Sequence, residues 1–287
     1  MGSIPAGSTK QKETVIAFSM GISLMIEGMN MNKKVILFSI DGMRSDGLKM
    51  CGNSFVKELE KKCAYTYLAK SMNPSVTLPC HFSMTHSVTP QRHGILTNTY
   101  IPQVRPVKGL FELISENRGV NAFFYGWEPL RDIALPGTLK FATYVNAYMQ
   151  ESGDTVLTDE CIKLVREHKP DFVFLYQVET DEKGGHDNGF MSKPYLERIS
   201  IAIDNVKRVM DEFSDEYSFV LMSDHGGHDR VHGTDMPEDM TIPLFFCGDE
   251  FIPGEINKPI SLLDIAPTIV KVLGITPDDD WEGSPIF

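Results

Sequence analysis

The chain has few of the features that would set it outside the ordinary globular class. Cysteine occurs five times in 287 residues, an odd number with no C-x-x-C pair. Cys161 and Cys247 fall on apolar faces and read as buried free thiols, which favours a reducing compartment. Basic residues are outnumbered, 27 against 39 acidic, for a formal net charge of -12. That balance argues against non-specific binding to nucleic acid or to an anionic membrane. It leaves room for a small phosphorylated substrate, because local cations can reverse the field in a cleft. No internal repeat, low-complexity segment or Pro/Gly-rich linker divides the chain. Hydrophobic residues at 42% and charged residues at 23% suit one large domain with a sizeable core.

A long apolar run is also missing. Residues 14–26 are apolar behind Lys10 and Lys12, but Glu13 and Glu27 flank them and no small-residue cleavage site follows. The run is too short for a membrane span. The expectation is a leader outside the fold over residues 1–30 and a single domain over 31–287. Localisation is then cytoplasmic, or secreted if residues 1–30 act as a signal.

What is present is an alternation of strands and helices. Residues 34–40 form a continuous apolar run, as in a parallel strand buried on both faces. Further strands are expected at 121–127, 171–178, 217–222 and 242–246. Helices are expected at 54–62, within 77–94, and at 107–117, 158–168, 193–213 and 261–273. Ser261 reads as the N-cap of the last helix and Gly274 as its stop. The pattern implies an α/β fold with a mostly parallel sheet and helices on both faces.

Residues able to bind a cation or attack a substrate stand at or just beyond the strand ends. These are Asp41, Thr77, Asp181, His186, Asp224, His225 and His232. Open α/β sheets keep their chemistry there. The set offers enough oxygen and imidazole donors for two divalent cations. Asp224-His225-Gly226-Gly227 is the most specific piece, since adjacent Asp and His after a buried strand suit zinc or manganese; a capping Asp beside a buried His is the plainer alternative. Asp41-Gly42 is also a common turn. Asp181 to His186 can be read as a charged surface loop, and His228 as a supporting group. Thr77 by itself reads as an N-cap. Phe123, Phe124, Tyr125 and Trp127 are either core or a stacking wall for a base or aryl group.

Taken together, the motifs resemble the alkaline phosphatase superfamily, and within it the type I phosphodiesterase/nucleotide pyrophosphatase family. The resemblance rests on Thr77-Leu78-Pro79-Cys80-His81, on Pro90-Gln91-Arg92-His93-Gly94-Ile95 with Asn98, on His232-Gly233-Thr234-Asp235, and on the stretch from Ser261 to Thr268. It implies an alkaline-phosphatase-like fold across roughly residues 34–287. It implies Thr77 as nucleophile and Asn98 as a donor to the phosphoryl oxygen. One cation would be held by Asp41, Thr77, Asp224 and His225, the other by Asp181, His186 and His232. His93 is implied to be structural. One departure stands out: the family usually spaces Asp-x-x-Gly-His, which fits Glu182, whereas Asp181 stands five residues before His186. Asp181 is taken as the ligand, with an extra glycine in the loop.

The expected activity is hydrolysis of a phosphodiester or nucleotide pyrophosphate by two divalent cations, zinc first and manganese second. A phosphomonoesterase or phosphomutase is the alternative, for which Arg92 and Arg131 are the candidate clamps. A sulfatase fits less well, because threonine stands where Cys or Ser would become formylglycine and His81 where Arg is expected. A non-catalytic binding protein is the reading from a different class. The expected partner is a small phosphorylated substrate such as a nucleotide, with no stable nucleic-acid binding and no membrane span.

Overall fold

The computed structural model describes residues 33–287. The leader expected over residues 1–30 lies outside the described residues. Among the described residues no helix is long and apolar enough to cross a membrane.

Eight strands form one sheet in the order β4-β3-β5-β1-β6-β7-β2-β8. They are β1 (Lys34–Ile40), β2 (Ala64–Lys70), β3 (Asn121–Tyr125), β4 (Phe141–Tyr144), β5 (Phe172–Gln177), β6 (Tyr217–Met222), β7 (Thr241–Cys247) and β8 (Gly254–Glu255). The block β4-β3-β5-β1-β6 is parallel throughout. β7 runs antiparallel to both β6 and β2. Strands β1, β5 and β6 are buried on both faces, which is why they read as unbroken apolar runs. Five of the strands match the expected positions. β2, β4 and β8 are additions. They lie toward the two edges of the sheet, where half-exposed strands lose the apolar signal.

Helices cover both faces. We label α1 (Ser45–Met50), α2 (Phe55–Lys62), α3 (Thr77–His86), α4 (Leu110–Glu116), α5 (Gly153–His168), α6 (Lys193–Phe213) and α7 (Ile265–Val272). Ile36, Phe38 and Ile40 of β1 share one core with Leu157, Cys161 and Val165 of α5 and with Ile199, Ile203 and Val206 of α6. On the opposite face Phe111 of α4 packs its ring against Phe123, Phe172 and Phe174. α7 is preceded by a single 3-10 turn, and Ser261 and Asp264 form a reciprocal capping box there. Gly274 follows with φ 74°, the left-handed stop expected of it.

One cysteine expectation is corrected. Cys247 is not free: it forms a disulfide with Cys63 across 184 residues of sequence. The register explains the pairing, since Ala64 lies opposite Phe246 in the β2–β7 ladder. Cys161 is a buried free thiol, as are Cys80 and the partly buried Cys51. Of the two cysteines on which the compartment expectation drew, Cys161 is free as expected and Cys247 is not. Protein unfolded without reductant should expose three reactive thiols, rising to five after reduction. Cys63→Ala with Cys247→Ala should cost about 2–5 kcal/mol of unfolding free energy, read by denaturant titration. Five thiols before reduction would contradict the bond.

Candidate active site

The carboxyl ends of β1, β5 and β6, three adjacent central strands, carry the acidic residues of the site. Asp41 follows β1 directly, Asp181 lies in the turn after β5, and Asp224 follows β6 by two residues. All three are buried. Gly42 lets them converge: its φ is 63°, and an added Cβ would fall 2.5 Å from Asp181 Oδ1. Its N–H donates to Asp224 Oδ1 at 3.2 Å. Tyr176 of β5 donates its hydroxyl to Asp41 Oδ2.

Three histidines complete the cluster, each held by a backbone carbonyl on its Nδ1. His225 contacts the Gly226 carbonyl at 2.8 Å, His186 that of Arg230 at 2.8 Å, and His232 that of Ser75 at 2.9 Å. A carbonyl only accepts, so each Nδ1 carries a proton, and Nε2 is the nitrogen turned toward the acids. His225 Nε2 lies 3.3 Å from both Asp41 Oδ1 and Asp224 Oδ2. His186 Nε2 lies 3.1 Å and His232 Nε2 3.8 Å from Asp181 Oδ2. The rings of His225 and His232 stack at 3.9 Å, bringing the two sets side by side.

Thr77 opens α3, with its Oγ1 3.2 Å from His225 Nε2. Pro79 is tolerated two residues on, because the first turn's N–H groups have no partner within the helix. Asn98 accepts the Leu78 N–H on its Oδ1 at 3.0 Å, so its amide NH2 is the end that remains to donate.

The Asp181–His186 spacing has a structural solution. Thr180–His186 winds as a seven-residue π-helical turn rather than the expected loop. Closing i to i+5 puts Asp181 and His186 on one face and absorbs the extra residue. Glu182 is turned instead toward a cavity of about 370 Å³, which it lines with Trp127, Tyr144, Tyr148 and Met149. Phe123 and Phe124 are fully buried core, so Trp127 is the member of the expected stacking wall that reaches this cavity. His93 is buried on Ser83, and His228 pairs with Asp239 at 2.8 Å. Arg92 donates to the Arg105 carbonyl, and Arg131 pairs with Glu128 and Asp132.

Several supporting residues were given no role by the sequence. His81 is buried, with Nδ1 on the Thr77 carbonyl at 2.8 Å and Nε2 on Ser39 Oγ at 3.0 Å; burial holds its pKa down at about 4. Ser223 accepts the Met43 N–H and donates to nearby carbonyls, tying the ends of β1 and β6 together. Tyr176 looked like one more apolar strand residue. A period-two pattern could have placed its hydroxyl on a face of the sheet but could not have paired it with Asp41.

The electrostatics are those of a cluster short of positive charge. Burial first, and then the charge of Asp181, push Asp224 up to about 8. Burial and the charges of Asp224 and Asp181 raise Asp41 well above the carboxylate range. Burial would raise Asp181 too, but the His186 hydrogen bond and the fields of His232 and His225 outweigh it and lower the pKa. The same hydrogen bond raises His186 to about 9. Asp41 Oδ1, Asp181 Oδ1 and Asp224 Oδ2 are buried without a hydrogen-bond partner, a state that costs free energy unless something binds there. The donors form two groups, Asp41-Asp224-His225 and Asp181-His186-His232, with ligand atoms within 4.8 Å of one another in each. Carboxylate oxygen with neutral imidazole suits zinc or manganese.

The family model for type I phosphodiesterase / nucleotide pyrophosphatase matches residues 35–236, well over half of the chain. The chain belongs to this family. Among curated relatives of this family member, mouse ectonucleotide pyrophosphatase/phosphodiesterase family member 1 is 27% identical over 218 residues, covering 67% of this chain and 24% of the relative. The human counterpart is 26% identical over the same share of this chain and 23% of its own length. The chain thus spans about a quarter of these relatives. A 2,3-bisphosphoglycerate-independent phosphoglycerate mutase of Shewanella sp. is 24% identical over 251 residues, 76% of this chain and 48% of the mutase. In fold, the chain matches murine ectonucleotide pyrophosphatase / phosphodiesterase 5 with a TM-score of 0.71 at 14% identity, over 85% of this chain and 96% of that one. It matches a phosphonate monoester hydrolase of Silicibacter pomeroyi with a TM-score of 0.72 at 14% identity, over 88% and 76%. The family member's architecture is alkaline-phosphatase-like, with a mixed, mostly parallel sheet between helices.

Proposed function

We propose that the chain hydrolyses phosphodiester or nucleotide pyrophosphate bonds, with Thr77 as nucleophile and two divalent cations, zinc first and manganese second. The observation that carries this is that the two donor groups lie side by side and the first reaches a buried threonine hydroxyl at a helix N-terminus. The first cation would be held by Asp41, Thr77, Asp224 and His225, and the second by Asp181, His186 and His232. When bound, the cations lower the pKa of a bound hydroxyl and neutralise charge on the phosphoryl oxygens.

The chain's own residues do the rest. Tyr176 and Gly42 N–H each engage one oxygen of Asp41 and Asp224, leaving the opposite oxygen free. The N-terminus of α3 favours a phosphoryl group at Thr77. Asn98 NH2 donates to a non-bridging oxygen as charge develops there. Attack by Thr77 Oγ1 in line forms the Thr77 O–P bond as the bond to the leaving oxygen breaks and that group departs as an alcohol or a phosphate; the other ester group stays on phosphorus, and water then cleaves this threonine phosphodiester to free Thr77 and release a phosphate monoester. The cavity beside Glu182, walled by Trp127, Tyr144 and Tyr148, suits an aryl or base group on the substrate. Membership of the family and the murine neighbour's complex with AMP support a nucleotide. The Cys63–Cys247 disulfide supports folding in an oxidising compartment rather than the cytoplasm expected from the sequence.

Metal-stripped protein refilled with zinc is expected to cleave bis(p-nitrophenyl) phosphate faster than p-nitrophenyl phosphate. The reverse order would make a phosphomonoesterase the primary reading, even though Arg92 and Arg131 are committed to local partners. No turnover of either with zinc bound would count against both.

A further inference from the structure

The two donor groups stand on unequal supports. Asp41, Asp224 and His225 are carried at the ends of β1 and β6, with side chains at most 2% exposed. Asp181 is carried by the π turn, and His232 by the loop before β7. The His186 and His232 rings are 35% and 10% exposed. The first group can add the Thr77 hydroxyl as a fourth ligand, whereas the second has three side chains. We propose that the cation held by Asp181, His186 and His232 is the weaker and more exchangeable of the two, and that Glu179, which touches none of its ligands, is the positioning residue that sets its affinity. The inference rests on the two-cation reading above.

A π turn holds one residue more than an α-helical path, and such irregular backbone persists where its surroundings over-determine it. Glu179 supplies that determination. Its carboxylate is buried at the exit of β5 and accepts from Gly153 N–H at 3.0 Å, Lys183 Nζ at 2.6 Å and Arg198 at 3.3 Å. Lys183 lies between Asp181 and His186, so the Glu179–Lys183 bond braces the turn from its outer side. Asn188 then donates to the Lys183 carbonyl at 2.7 Å. The backbone entering the turn is fixed as well: Asp154, buried at the start of α5, accepts the Val178 and Glu179 N–H groups at 3.0 and 2.8 Å. On the inner side Gly185 backs onto the Phe190 ring, where an added Cβ would fall 2.5 Å away. A buried carboxylate holding two cations cannot swing out without leaving charge unpaired. The Asp181–His186 separation is therefore fixed before any ion arrives. Without the Glu179 charge, the turn can relax and the ligand spacing is no longer set.

The test is calorimetric titration of the metal-stripped 287-residue chain with zinc, alongside zinc content after dialysis. The parent should show two sites separated by about tenfold or more in Kd, and should keep one zinc more firmly than the other. Glu179→Gln should weaken the weaker site by about tenfold or more while leaving the tighter one within about twofold, in the range seen when supports of metal ligands are removed. Arg198→Ala removes only an outer partner and should shift the same site less; it also tests the idea if Glu179→Gln fails to fold. Melting of each metal-stripped variant separates a general loss of stability from a site-specific one. Equal parental affinities, or a Glu179→Gln change that moves both sites together, would overturn the inference. A parent that binds no zinc would overturn it together with the two-cation reading.

Discussion

Thr77→Ala is expected to lower kcat on bis(p-nitrophenyl) phosphate by about a thousandfold or more, the loss typical of a removed nucleophile. The size of the effect follows from how the neighbouring hydroxyls are used. Ser39 is bonded to His81, Ser71 donates to the Asp224 carbonyl, Ser75 donates to the Thr234 carbonyl, and Ser223 is committed to the Ile40 and His225 carbonyls. None is free to take over at phosphorus. Thr77 Oγ1, by contrast, faces His225 Nε2 at the mouth of α3. Thr77→Ser keeps the hydroxyl and should retain most of the turnover, and zinc content measured on both variants distinguishes lost chemistry from lost metal. A Thr77→Ala rate near that of the parent would remove threonine from the mechanism.

The second large effect is on the metal-stripped protein. Its stability should fall as pH rises from about 6.5 to about 8, above the range in which buried neutral histidines such as His81 act in the opposite sense, and zinc should abolish the decline. Asp224 has its folded pKa raised to about 8 by burial and by Asp181, and Asp41 is raised for the same kinds of reason. Between the unfolded pKa and the raised folded one, the folded state holds protons that the unfolded chain has released. Unfolding is then favoured increasingly with pH. The shift on Asp224 alone corresponds to about 6 kcal/mol at its fullest extent. Below pH 4 the penalty is absent, because both states are protonated. Bound cations hold these carboxylates ionised and reverse the sign. Thermal melting at pH 6.5 and pH 8, with and without zinc, reads the effect; a metal-stripped chain more stable at pH 8 than at pH 6.5 would contradict it.

How much of this was legible in the sequence follows from what each feature depends on. β1, β6 and α6 could be read because burial on both faces of a central strand, and on one face of a helix, leaves a local periodic trace. The Asp, His and Thr positions of the site stood out because they interrupt such traces at strand ends. β2, β4 and β8 left no comparable trace, being short or half-exposed near the edges. Cys247 looked like one more apolar strand residue, and only the β2–β7 register brings it to Cys63.

The sequence by itself determined the α/β class, the parallel core and the residue types gathered at its carboxyl edge, since these are written in patterns a few residues long. Tertiary structure decided which of those residues meet. It turned an irregular Asp181–His186 spacing into a π turn, aimed three imidazoles through carbonyls of Ser75, Gly226 and Arg230, and braced the turn from Glu179 and Asp154. Those arrangements depend on contacts between segments far apart in the chain, and such contacts leave no period in either segment alone.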